Sequence, residues 1–307
     1  MKNYSIFIKN LNFSYNKHER QFSNFSLKIP DGSIYGFVGP NGAGKSTLIR
    51  IISGLSHPSS GQVEILDRTY KKERPYILSK SGYLIESPSL YLHLSAEQNL
   101  KIAQRYKGVP NPNEIETVLN TIDLEHTKSK KVSNFSLGMK QRLSIGMALI
   151  NKPKLLVLDE PTNGLDPQGI RKIRSLIHKI NKDWGTTIFI SSHLLSEIED
   201  TCSHIAIINK GRLLFNGKID EMYKSRKGPL TVFIESNNSK LLKDKINLEN
   251  ISLIESNKTT VSLSIQSKEQ IPKIINYCAE NDIKIYQVKI KNNLEFQYLN
   301  LISNEKI

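Results

Sequence analysis

Residues 39–46 read Gly-Pro-Asn-Gly-Ala-Gly-Lys-Ser, between the apolar run Ser33-Ile34-Tyr35-Gly36-Phe37-Val38 and the helix-like Leu48-Ile49-Arg50-Ile51-Ile52. A short apolar run bounded by Asp31-Gly32 and Gly39 reads as a buried strand. The glycine-rich loop therefore joins a strand to a helix, the context in which such a loop cradles phosphate, and this part of the chain is expected to be an α/β core. Gly39, Gly42 and Gly44 free the backbone to curl. Successive N–H groups can then point inward while the helix N-terminus adds the positive end of its dipole. In that cradle Lys45 reaches the β- and γ-phosphates of a nucleotide and Ser46 is placed to coordinate Mg²⁺. A bare glycine turn is the competing reading, and it does not explain the strand and helix on either side.

Downstream, Lys154-Leu155-Leu156-Val157-Leu158-Asp159-Glu160 is an apolar run ending in two carboxylates and then Pro161. Its length suits a buried central strand, which puts the acids at the carboxyl end, where open α/β sheets bind ligands. There Asp159 is suited to hold Mg²⁺ through water and Glu160 to polarise the water that attacks a γ-phosphate. Taken alone, paired acids at a strand end are more often a solvated turn. His193 follows the strand-like Thr186-Thr187-Ile188-Phe189-Ile190 and the polar pair Ser191-Ser192. At the end of a neighbouring strand its imidazole can hydrogen-bond a γ-phosphate. A lone histidine is usually a surface residue, and the upstream loop shifts the reading of both motifs toward function.

With these motifs in this order, the chain resembles the nucleotide-binding subunits of ATP-binding-cassette (ABC) transporters over roughly residues 4–220. Tyr15 matches the aromatic that stacks on adenine. Gly39 to Thr47, with Asn41 and Gly42 among them, match the Walker A motif, and Leu155 to Glu160 match Walker B with its catalytic glutamate. Ser136 and Gly138 match the serine and second glycine of the family signature, Asn163-Gly164-Leu165-Asp166 lies where the D-loop does, and His193 matches the switch histidine. The resemblance implies a P-loop NTPase cassette: a mixed-sheet core with antiparallel β and helical subdomains. It also implies an ATPase using ATP and Mg²⁺ and a head-to-tail dimer in which Ser136 and Gly138 of one copy close over the nucleotide of the other. Integral membrane permease subunits are the implied partners, and the cytoplasmic face of the membrane the implied location.

Two departures sharpen this. The signature reads Phe135-Ser136-Leu137-Gly138-Met139, followed by Lys140-Gln141-Arg142. Ser136 can still cap the helix running through Met139 to Leu149, aiming N–H groups and dipole at a partner's γ-phosphate. In Gly82-Tyr83-Leu84-Ile85-Glu86-Ser87-Pro88, Glu86 stands where the family's loop carries glutamine. That loop touches Mg²⁺ and the attacking water and meets the membrane subunit, so Glu86 is expected beside the metal. It would tune the chemistry there, since Glu160 already fills the role of base. Glutamate here together with the Ser-Leu-Gly-Met signature looks like the cassette subunits of lantibiotic self-protection and bacitracin-type resistance transporters. A multidrug or lipid exporter is the nearest alternative, and a cassette ATPase acting on ribosomes or DNA is the alternative of another class.

No run in the 307 residues approaches the ~18 apolar residues of a membrane span, and Met-Lys-Asn-Tyr-Ser at the start lacks a signal peptide's apolar stretch. A transporter role then requires separate membrane subunits. The net charge of +14 is scattered, without the long basic run or regular aromatic interleaving of a nucleic-acid binder, so no nucleic-acid partner is expected. An anionic leaflet is compatible with it. Cys202 and Cys278 are isolated and read as buried reduced thiols.

The cassette is expected over residues 1–222, with the helical subdomain at about 88–146 containing helices Ala96 to Tyr106 and Asn113 to Thr121 and the signature helix. Pro167 begins the helix to Asn181. Over residues 229–307 the pattern alternates as strand Leu230–Glu235, helix Ser239–Lys245, strands Ile251–Glu255 and Thr260–Ile265, helix Lys268–Glu280 and strand Ile283–Ile290. That order is βαββαβ, so a small α+β, ferredoxin-like accessory domain serving interaction or dimerisation is expected.

Overall fold

Alternation of apolar and polar residues in Tyr-Ser-Ile-Phe-Ile-Lys-Asn-Leu-Asn-Phe-Ser dictates a half-buried strand. In the computed structural model, which describes residues 4–16, 20–86, 89–224, 230–239, 251–291 and 298, this is β1 (Tyr4–Ser14), with Ile6, Ile8 and Leu11 turned into the core. It is followed by β2 (Arg20–Pro30), β3 (Ile34–Val38), α1 (Lys45–Ile52) and β4 (Ser60–Ile65). β1, β2 and β4 form an antiparallel sheet in the order β2-β1-β4.

The next elements are α2 (Tyr70–Lys80), β5 (Ser81–Leu84), α3 (Ala96–Lys107), α4 (Asn113–Thr121), α5 (Leu137–Leu149), β6 (Leu155–Asp159), α6 (Pro167–Trp184), β7 (Thr187–Ser192), α7 (Leu195–Thr201), β8 (His204–Asn209), β9 (Arg212–Lys218) and α8 (Ile219–Lys224). Helix α2 has no sequence signal because Pro75 sits inside it; the chain kinks at Glu73, where φ is −137°.

The core sheet runs β5-β6-β7-β3-β8-β9, parallel except for β9. Strands β3, β6 and β7 are built on apolar runs and buried along nearly their whole length, as central parallel strands are. Register does the functional positioning. Val38 pairs with Ser192 and Asp159 with Ser191, so the ends of β3, β6 and β7 are level along one edge of the sheet.

The helical segment is built from local signals. Ser95 and Gln98 close a capping box on α3, which ends at Gly108 in the left-handed region. Ser136 caps α5, its Oγ accepting from Met139 N at 3.3 Å. Asp166 caps α6, and Pro167 is its first residue. Arg142, on α5, is buried and donates from Nη1 to the carbonyls of Ile122 and Asp123, each at 2.7 Å, and to Asp123 Oδ2 at 2.9 Å. It ties the signature helix to the end of α4.

A first compact unit runs to Ile219 and a second begins at Asp220, so the division falls within α8, close to the boundary expected at residue 222. The second unit contains β10 (Leu230–Ser236), β11 (Ile251–Ser256), β12 (Thr260–Ile265), α9 (Gln270–Glu280) and β13 (Ile285–Lys291). Its antiparallel sheet is ordered β11-β12-β10-β13, so β10 lies between the parallel strands β12 and β13 that α9 connects, a split βαβ arrangement. Val232, Ile234, Val261, Leu263 and Ile265 bury against Ile274 and Cys278 of α9. The helix expected over Ser239–Lys245 lies outside the described residues beyond Ser239. Cys278 is buried, whereas Cys202 is only partly so; burial pushes both thiols above their ordinary pKa.

Candidate functional site

The loop between β3 and α1 needs its glycines for two different reasons. A Cβ on Gly39 would lie 2.4 Å from the Ile208 carbonyl oxygen of β8, so only glycine permits that close approach. Gly44 has φ +109°, a region that side-chain-bearing residues avoid, and its turn starts α1 at Lys45. Asn41, Gly42 and Ser46 face outward along the loop and the first turn, while Thr47 is buried.

Lys45 is buried, with Nζ donating to Gly39 O at 2.9 Å and Pro40 O at 3.4 Å and lying 3.5 Å from Glu160 Oε1. Glu160 follows β6 directly and holds φ +46°, a costly conformation of the kind that clusters at working sites. Its N–H donates to Ser191 Oγ at 2.9 Å, and its Oε2 is 3.0 Å from His193 Nδ1. Ser191 Oγ in turn donates to Asp159 Oδ1 at 2.5 Å. The level strand ends thus bring Lys45, Asp159, Glu160 and His193 into one connected cluster, with Ser191 as its bridge.

Tyr15 lies half exposed beside α1. Its hydroxyl shares a 2.8 Å hydrogen bond with Thr47 Oγ1, and its ring stands edge-on to Phe13 with centroids 5.0 Å apart. Glu86 is outside the cluster: its φ is +61°, it is exposed, and its Oε1 is 2.5 Å from Arg50 Nη2. Ser136 and Gly138 are elsewhere again, lining a groove of about 470 Å³ with Leu137, Gly164, Leu165 and Asp166. No residue of the 39–47 loop lines that groove.

The donor set suits a nucleotide polyphosphate and the Mg²⁺ that accompanies it. A buried ammonium with two carbonyls and one distant carboxylate is better satisfied by an anionic phosphate, which accepts charge-assisted hydrogen bonds. Among the described residues no group of three His, Cys, Asp or Glu side chains could hold a metal ion alone. Mg²⁺ needs less than that, since it keeps several waters and takes one or two protein ligands plus substrate phosphates.

Four contributing residues escaped the sequence reading. Ser191 stands in the sequence only as one of a polar pair; its place two residues before His193 at the end of a parallel strand is the signal for it. Glu197 Oε2 accepts from Thr162 Oγ1 at 2.5 Å and from Ser192 Oγ at 3.2 Å, joining the segment after Glu160 to the end of β7. Arg50 and Arg142 act across long stretches of chain, with no local signal.

Residues 22–163 match the model of a family described as ABC transporter. The chain is 37% identical over 292 residues to the bacitracin transport ATP-binding protein BcrA of Bacillus licheniformis, a match covering 94% of each. It is 43% identical over 213 residues to the lantibiotic transport ATP-binding protein SrtF of Streptococcus pyogenes, covering 69% of this chain and 90% of that one. Among solved structures, an ATP-binding cassette in a dimeric post-hydrolysis state bound to ADP and Pi superposes with a TM-score of 0.62 at 25% identity, over 70% of this chain and 98% of that one.

Proposed function

Because this chain belongs to the ABC transporter family as one of its ATP-hydrolysing ATP-binding subunits, we propose that it powers an exporter protecting the cell from a lantibiotic or a similar membrane-active peptide antibiotic. The observation that carries the cargo is the length of one similarity: the match to a bacitracin transport protein covers 94% of both chains and so takes in the second compact unit. That unit lies beyond the cassette motifs, and we assign it an interaction or dimer-supporting role. Glu86 in the loop, in place of an amide, points the same way.

In this reading Gly39 to Thr47 hold the ATP phosphates and Tyr15 leaves Thr47 to cover the base. Glu160, 3.0 Å from His193, takes a proton from the attacking water, and His193 orients that carboxylate and contacts the γ-phosphate. Mg²⁺, held by Ser46 and by Asp159 through water with Glu86 nearby, would neutralise charge developing on the transferred phosphoryl group. Asp159 is kept aimed by Ser191. Ser136 and Gly138 serve the nucleotide of a second copy bound head to tail; their lining a groove apart from the 39–47 loop supports this. Closure around two ATP molecules and opening after hydrolysis are a population shift that permease subunits convert into transport. No helix among the described residues is long and apolar enough to cross a membrane. We place the chain on the membrane's cytoplasmic face, docked to those permeases.

The test compares antibiotic susceptibility of cells with and without this subunit, across bacitracin, lantibiotics, lipophilic drugs and ribosome-directed antibiotics. Deletion is expected to sensitise cells to the peptide antibiotics. Sensitisation to the lipophilic drugs alone would replace the reading with a general exporter, and to the ribosome-directed drugs alone with a ribosome-acting cassette.

A further inference from the structure

Helix α1 carries Ser46, Thr47 and Arg50 on neighbouring positions, since residues three and four apart share a helix face. Arg50 therefore lies one turn behind Ser46. From there its Nη2 reaches Glu86 Oε1 at 2.5 Å. The Glu86 carboxylate and, second to it, the Tyr15 hydroxyl hold the Arg50 guanidinium more firmly protonated than usual. Tyr15 itself is hydrogen-bonded at 2.8 Å to Thr47. Arg50 thus lies between the aromatic assigned to the nucleotide base and the loop glutamate assigned to the metal side.

Both partners are exposed, Arg50 by 40% and Glu86 by 59%, so solvent screens the pair and it contributes little to folding. What the pair changes is local charge. An uncompensated carboxylate near the phosphates repels them, a cost a neutral amide does not have. Glu86 also holds φ +61°, and the bond from Arg50 gives its exposed carboxylate a fixed direction.

We propose that Arg50 is a positioning residue that cancels the charge of Glu86 and fixes its carboxylate, allowing glutamate to occupy this loop without weakening ATP binding. The proposal rests on the assignment of residues 39–47 to ATP, and it deepens the role given to Glu86.

The experiment measures binding of ATP with Mg²⁺ to the full chain by equilibrium dialysis, at low and high salt, with folding checked by circular dichroism. Arg50→Ala is expected to weaken binding about three- to fivefold at low salt, the range of an exposed charge pair, with the difference shrinking at high salt. Arg50→Gln, which keeps bulk and hydrogen bonding, is expected to match Arg50→Ala and guards against misfolding of the smaller variant. Arg50→Lys should bind close to the parent chain. The decisive arm adds Glu86→Gln to Arg50→Ala: removing the unpaired carboxylate should restore affinity. A defect that persists in the double variant, or that salt does not alter, overturns the proposal, as does parent-like affinity in Arg50→Ala. A parent chain that binds no ATP overturns this proposal and the assignment of residues 39–47 together, whereas a parent that binds ATP with no rescue overturns this one alone.

Discussion

Glu160 concentrates several constraints in one side chain. It sits at φ +46°, has its backbone N–H held by Ser191, and places its two carboxylate oxygens toward Lys45 and His193. Glutamine would keep this shape and much of the hydrogen bonding while losing the base. Glu160→Gln is therefore expected to lower ATP turnover by roughly 10²–10⁴ with ATP binding retained. Phosphate release and nucleotide binding on the purified chain measure the two separately, and near-normal hydrolysis would remove Glu160 from this role. The glycines act through backbone alone. At Gly39 the obstacle is a carbonyl of β8, so even alanine must displace a strand.

Among the elements, α5 shows how a poorly amphipathic helix is held. Its capping serine fixes one end, and Arg142 fixes the middle by donating to two backbone carbonyls beyond α4. These carbonyls follow the end of a helix and have no intrahelical partner. Removing a buried donor leaves its acceptors unsatisfied, at about 1–3 kcal/mol. Arg142→Ala is expected to destabilise the chain within that range in chemical denaturation. A second effect should accompany it: a lower affinity between subunits in ATP, because Ser136 and Gly138 ride on the same helix. Stability equal to the parent chain would show that Arg142 does not anchor α5.

At the scale of the whole molecule, the separation of Ser136 and Gly138 from the 39–47 loop makes the proposed site a property of two copies. Lys45→Ala and Ser136→Ala chains should each be inactive alone. Mixed in equal amounts, random pairing leaves about a quarter of the composite sites with both halves intact. ATPase activity should therefore return in part on mixing. Full activity of either variant alone, or none in the mixture despite dimer formation, would contradict a shared site.

Local chemistry made much of this protein readable from residue order. Glycines that permit tight backbone, the cap at Ser136, Pro167 at a helix start and the apolar run ending at Asp159-Glu160 act within a few neighbours, so their signals survive in the sequence. The limits Asn113–Thr121 and Thr260–Ile265 were legible for the same reason. Only the tertiary structure decided which distant side chains meet. Parallel register sets Ser191 against Asp159, a bond between residues 32 apart, and packing of the loop after β5 against α1 joins Arg50 to Glu86. Helix α2 forms around Pro75 against local preference because Ile77 is buried in the core. These contacts depend on how strands are ordered and layered, and strand order is chosen by the burial of the whole sheet, which no short stretch of sequence records.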